Sequence, residues 1–175
     1  MQRKLLQILR LVQGIQLGQK IDGEVDGQPG PLALNDDNNG FGILGIRGAS
    51  DDEDGVVFTS PLVYGSIASV QVTASVPGFL DAWFDFNANG QFDLPFDQVF
   101  TKQPLGAGLN NLSFNMADVI PNANSTFARF RYSTTGGLRP PGAANDGEVE
   151  DYFVTTISPD GPQLQWDYGD APESY

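Results

Sequence analysis

Asp85-Phe-Asn87-Ala-Asn89-Gly90-Gln91-Phe-Asp93-Leu-Pro-Phe-Asp97 sets oxygen-bearing side chains at alternate positions of one short stretch. Counting from Asp85, oxygen donors fall at positions one, three and five, glycine at six and Asp93 at nine. That matches the first half of the twelve-residue calcium loop, in which the position-seven backbone carbonyl, here Gln91, adds a ligand. Alternate residues of a tightly wrapped loop point inward, and glycine permits the turn that brings that carbonyl toward an ion. Hard oxygen donors at ~2.3 to 2.6 Å suit calcium, whose irregular coordination tolerates such a loop better than magnesium does. Position twelve is Phe96 rather than a bidentate Glu, so Asp97, or a carboxylate from elsewhere, has to close the site. A plainer reading stands beside this one. Asn89-Gly90 between Phe84/Phe86 and Phe92 is also a strong two-residue hairpin signal, and the two readings can coexist.

A second constellation is Gly147-Glu148-Val149-Glu150-Asp151-Tyr152, preceded by the Pro/Gly-rich stretch 136–145. On a strand, Glu148, Glu150 and Tyr152 share one face, and Val149, Asp151 and Phe153 the other. Arg129 and Arg131 project together from the strand before. Arginine–carboxylate pairing across adjacent strands is the favoured account, and recruitment of Glu148 or Asp151 to a calcium site the sharper one.

Composition removes most other chemistry. The 175 residues contain no Cys and no His, which excludes thiol nucleophiles, Cys/His zinc sites and imidazole bases. Lys+Arg number 9 against 22 Asp+Glu, a formal charge of -13 that opposes nucleic acid and anionic membrane surfaces. Residues 1–20 hold Arg3, Lys4, Arg10 and Lys20 with no acid, so they carry +4 and the rest -17 (5 basic minus 22 acidic). Carboxylate pairs such as Asp81 and Asp85 are the only general acid–base chemistry left. They sit among turn glycines in ion-binding register, with no apolar pocket to raise a pKa, so the chain is expected not to be an enzyme.

The elements that must position these residues follow from periodicity. Leu5, Ile8, Leu9, Val12 and Ile15 fall at helical spacing, predicting a short basic amphipathic helix over 1–18. Residues 19–54 are an acidic Gly/Asn/Asp-rich loop region. Within 55–158, short strands are expected over 56–58, 67–75, 78–86, 98–101, 112–116, 126–132 and 149–157. The alternation is clearest for Val70, Val72 and Ala74, and for Ala128, Phe130 and Tyr132 with Arg129 and Arg131 opposite. Seven short strands punctuated by turns predict an all-β antiparallel sandwich, Ig-like or jelly-roll-like, with long acidic loops and a short N-terminal helix. No stretch is long and apolar enough to span a bilayer.

Asp51-Asp-Glu-Asp-Gly-Val56, Ala82-Trp-Phe-Asp-Phe-Asn87, Phe130-Arg-Tyr-Ser133 and Gly147-Glu-Val-Glu-Asp-Tyr152, in that order, resemble the signature of the GEVED domain family. The resemblance implies a β-sandwich module of large secreted or surface-attached bacterial proteins, in multidomain or repeated arrays, and says more of location and architecture than of activity. Trp166-Asp-Tyr-Gly-Asp-Ala-Pro-Glu-Ser-Tyr175 is similar to the opening motif of the repeat unit such domains belong to. Residues 17–37 are similar to the segment that follows that motif. Residues 159–175 are therefore read as a linker and the start of a following unit, and the chain as a fragment of an array.

The expected function is a non-catalytic, calcium-stabilised structural or adhesive module of an extracellular or cell-surface protein. Its metal ligands are Asp85, Asn87, Asn89, Gln91, Asp93 and Asp97. Its partners are neighbouring domains of the same polypeptide, with cell-surface glycans or proteins as further candidates. The alternative is a carbohydrate- or protein-binding module appended to a secreted enzyme, with Trp83, Tyr64 or Trp166 as an exposed aromatic platform, against the plainer reading that Trp83 belongs to the core strand and Trp166 to a packed linker.

Overall fold

Strand β2, Ile67–Ala74, alternates Ala68, Val70, Val72 and Ala74 with Ile67, Ser69, Gln71 and Thr73. The first set is buried and the second is not. The computed structural model describes residues 14–19, 54–118 and 124–159, and within them β2 shows the period-two pattern most plainly. The other strands are β1 (Val56–Phe58), β3 (Gly78–Phe84), β4 (Gln98–Leu105), β5 (Gly108–Asn115), β6 (Ser125–Ser133) and β7 (Glu148–Thr155). Each of the seven expected segments thus contains a strand, although β3 and β7 stop at Phe84 and Thr155, short of the expected 86 and 157, and no helix occurs among the described residues.

All pairings among the seven described strands are antiparallel, and an isolated parallel bridge joins Val63 to Ile157. One sheet has the order β1-β2-β5 and the other β4-β3-β6-β7. The core lies between them. Val56, Val70, Val72 and Phe114 of the first sheet meet Leu80, Phe84, Phe100, Ala128, Phe130 and Tyr132 of the second. Ring contacts cross the gap at Phe58–Phe130 (6.0 Å), Phe84–Phe114 (6.0 Å) and Phe100–Phe114 (5.8 Å), so the two sheets pack face to face.

Two expectations need correction. β4 and β5 run longer than 98–101 and 112–116. Pro104 lies inside β4, which a sheet edge tolerates because the missing N–H faces no partner strand. The helix expected over 1–18 does not include residues 14–18, which are not helical. Leu17 forms an antiparallel bridge with Ala74 and is wholly buried, so burial in the sandwich core overrides the helical spacing. The rest of that helix, most of 19–54, and the repeat-like 160–175 with Trp166 lie outside the described residues.

The outer face of β3 and β6 is also buried. The segment 134–147, between β6 and β7, contributes backbone contacts to this face through Leu138, Arg139, Pro140 and Gly142. Below it lie Asp81, Trp83, Arg129, Arg131 and Asp151.

Candidate functional site

β3 carries the chain straight into the acidic loop, so Asp85 emerges at the end of a core strand. Its amide donates to Phe127 O at 3.0 Å and its carbonyl accepts the Thr126 hydroxyl at 2.7 Å, which fixes the root of the loop on β6. Its carboxylate, 2% exposed, accepts the amides of Asn89 (3.1 Å) and Gly90 (2.8 Å). Gly90 has φ of 80° and Ala88 of 54°, whereas Asn89 is not left-handed, so the expected two-residue Asn89-Gly90 hairpin is not formed: β3 and β4 are joined by the longer loop 85–97, which turns at Ala88 and Gly90.

Asn87 Oδ1 accepts the same Asn89 amide at 3.0 Å, so oxygens of Asp85 and Asn87 sit against one N–H. Asn89 Oδ1 accepts the Gln91 amide at 2.8 Å. The side-chain amides of Asn87 and Asn89 both donate to Asp93 Oδ2, at 3.3 and 2.9 Å. Gln91 enters through its backbone, while its own side chain is exposed. Asp97 is wholly buried and ties the two ends of the loop together. Its Oδ1 accepts Phe86 N at 3.1 Å, its Oδ2 accepts Asp93 N at 2.6 Å, and its own amide donates to Asp93 O at 2.8 Å. Burial pushes the Asp97 carboxyl above the ordinary carboxylate range. The Asp93 and Phe86 amides oppose that rise, and the charges of Asp85 and Asp93 reinforce it.

The structure therefore brings Asp85, Asn87, Asn89 and Asp93 into one bonded loop and sets Asp97 beneath it as a clasp. Among the described residues no three carboxylates converge tightly enough to cage a metal unaided. A cation at this tip would draw on amide and backbone oxygens as well, which is the donor set of a calcium loop rather than of a transition-metal site.

Composition and spacing did not point to two supports of this loop. The Arg129 guanidinium lies over the Phe92 ring at 5.2 Å, which pins the loop to the outer face of β6. Phe86 packs against Phe96 at 5.9 Å. Arg129 also grips Asp151, with Nε to Oδ1 at 2.7 Å and Nη2 to Oδ2 at 2.6 Å. The Arg–carboxylate pairing is thus present, and Asp151 is engaged in it. Arg131 takes a different course, donating to the carbonyls of Arg139 and Gly142 at 2.7 Å each. Burial, and then the neighbouring Arg129 charge, depress its pKa. On the core face, Glu150 accepts the Gly55 amide and the Tyr152 hydroxyl, both at 3.0 Å, and Glu148 accepts the Leu17 amide.

The aromatic platform is corrected in part. Trp83 is 0% and Tyr64 2% exposed, so neither presents a face to a ligand. Trp83 points outward from β3 yet lies buried in the layer that 134–147 adjoins. Among the described residues Phe153 and Phe96 are the exposed rings instead, at 64% and 46%. Asp81, offered with Asp85 as an acid–base pair, is wholly buried. It accepts the amides of Lys102 (2.8 Å) and Leu138 (3.0 Å) and so anchors loops.

No helix among the described residues is long and apolar enough to cross a membrane. No curated protein and no solved structure matches the chain. The family model of the GEVED domain matches residues 79–155, which run from β3 to the end of β7 and contain the oxygen-rich loop, the paired arginines and the Glu-Val-Glu-Asp strand. Over residues 79–155 the chain is accordingly similar to the GEVED domain family.

Proposed function

We propose that this chain is a non-catalytic, calcium-stabilised structural or adhesive module of a larger extracellular or cell-surface polypeptide. The convergence of Asp85, Asn87, Asn89 and Asp93 at one hairpin tip carries this reading. In that loop the side-chain N–H groups of Asn87 and Asn89 face Asp93 while their oxygens accept the Asn89 and Gln91 amides, so coordination by these two oxygens exchanges those bonds for the ion. A divalent cation there gains the Asp85 and Asp93 carboxylates, Asn87 and Asn89 oxygens and the Gln91 carbonyl, and offsets the mutual repulsion of Asp85, Asp93 and Asp97. Calcium then fixes a loop already rooted on β6 through Thr126 and Arg129, which stiffens the end of the sandwich.

Several features support a scaffold over an enzyme. Asp81 and Asp85, the carboxylates offered for acid–base work, are buried and each bound by two backbone amides. The family match to a domain-sized segment supports a place among neighbouring domains of one polypeptide. The seven strands among the described residues split three and four, with β6 beside β3, an arrangement that supports an immunoglobulin-like sandwich.

Thermal unfolding in chelator and in millimolar calcium tests the proposal. Ligand at ten times Kd adds about 1.4 kcal/mol and at a hundred times about 2.7, so the midpoint rises by several degrees. Asp85→Ala removes that calcium-dependent difference. Identical transitions in chelator and in calcium would discard the metal and leave a plain sandwich module.

A further inference from the structure

Residues 14–19 lie along the end of β2 through one antiparallel bridge, Leu17 to Ala74, although residues 20–53 intervene before Asp54. Gly18 N donates to Thr73 O and Ser75 N to Gln16 O, each at 2.9 Å, and Gln16 N donates to Ser75 Oγ at 2.9 Å. Carboxylates hold two further amides of this segment: Glu148 accepts Leu17 N, and Asp54 Oδ1 accepts Gln19 N at 2.9 Å. The Leu17 side chain is 0% exposed and belongs to the core.

These contacts read a short sequence. The notch accepts one apolar side chain of leucine size. The next residue must be glycine, because Gly18 has φ of 62° and a Cβ there would fall inside the Asp54 carboxylate. Gly55 forms the wall, where a Cβ would overlap the Leu17 side chain. The remaining recognition is backbone hydrogen bonding, the mode by which a sheet edge takes up an extended peptide.

We propose that this notch is a peptide-binding site for an extended Leu-Gly segment, and that residues 14–19 of a second copy of this chain can occupy it by exchange. The contacts come from β2, Asp54, Gly55 and β7, and an identical segment from another molecule satisfies every one of them. Such exchange closes a symmetric pair without new chemistry. Charge favours the same partner. The segment is flanked by Arg3, Lys4, Arg10 and Lys20, while the rest of the chain carries -17, so one copy's basic end complements another's body. The segment's own copy competes through tethering. Exchange is therefore driven by high concentration, or by copies held on one polypeptide.

The test uses the full chain bearing Leu17→Asp, 15N-labelled and titrated with a synthetic peptide of residues 14–19. Saturable shifts at the amides of Gly55, Thr73 and Ser75 are expected. Binding should be at least tenfold weaker for the peptide bearing Leu17→Asp, and at least tenfold weaker for the wild-type chain, whose notch is filled. If Leu17→Asp unfolds the chain, the wild-type peptide must restore the native spectrum. Absence of saturable binding to the folded variant, or of rescue of the unfolded one, overturns the binding site. Sedimentation of the wild-type chain up to millimolar concentration should show a dimer that Leu17→Asp abolishes. A wild-type chain that stays monomeric throughout overturns the second copy as occupant.

Discussion

Arg129 and Asp151 face one another directly across the β6–β7 pair and are joined by two parallel hydrogen bonds of 2.7 and 2.6 Å, with both side chains almost wholly buried. The guanidinium also donates to Pro140 O at 3.1 Å and lies over Phe92, so one cation joins the Glu-Val-Glu-Asp strand, the 134–147 segment and the oxygen-rich loop. Removing one partner leaves a buried charge uncompensated. Asp151→Ala should therefore lower unfolding free energy by about 3 to 5 kcal/mol, read from urea denaturation. The double change Arg129→Met with Asp151→Leu should cost much less, because it leaves no buried charge. A loss below about 1 kcal/mol for Asp151→Ala would show that the pair does not organise this face.

Gly90 offers a cleaner measurement, because a Cβ built there meets nothing within 4 Å and its φ is 80°. Any penalty for Gly90→Ala is then backbone strain alone, about 1 to 2 kcal/mol. Gly90→Asn should cost less, since asparagine tolerates the left-handed region. Equal midpoints for Gly90→Ala and wild type in a denaturant titration would mean that the turn relaxes.

Local alternation made the two sheets legible in the sequence, whereas the Asn-Gly pair marked only a turn inside the long 85–97 loop rather than a two-residue hairpin. The arginine–carboxylate pairing was readable too, because Arg129 and Asp151 lie on strands that follow one another. Long-range relationships were not readable. Nothing near Leu17 shows that its amide meets Glu148, and the helical spacing of Leu5 to Ile15 pointed elsewhere. The burial of Trp83 depends on what covers its face of β3, which no periodicity within the strand encodes. Asp97 was expected as a ligand that closes the loop. It does close the loop, but through backbone amides of Phe86 and Asp93, because burial leaves those as its nearest donors.

Trp83 separates the scaffold reading from an aromatic binding platform. It is 0% exposed, and its indole N–H has no acceptor among the described residues. Trp83→Ala should destabilise the fold by about 3 to 5 kcal/mol through the cavity it leaves. Trp83→Phe should cost distinctly less, since it removes an unsatisfied donor together with some volume. A Trp83→Ala chain of native stability would mean that the ring is not packed as described.

Tyr132 predicts the alkaline limit of stability. The ring is wholly buried, its hydroxyl donates to Val76 O, and burial raises its pKa above the ordinary 10.0, with the Asp146 charge adding to the rise. Burial raises Tyr64 in the same direction. In the unfolded chain these phenols lose their protons from about pH 10, while the folded chain keeps them, so above that pH the native state binds more protons. Stability is then fully present below 10 and falls as pH climbs through the raised native values. Tyr132→Phe should cost about 0.5 to 1.5 kcal/mol at pH 8 for the lost bond to Val76. It should also flatten the decline above pH 10. Urea midpoints at half-unit steps of pH measure both quantities, and parallel declines for wild type and Tyr132→Phe would show that the phenol does not stay protonated in the folded state.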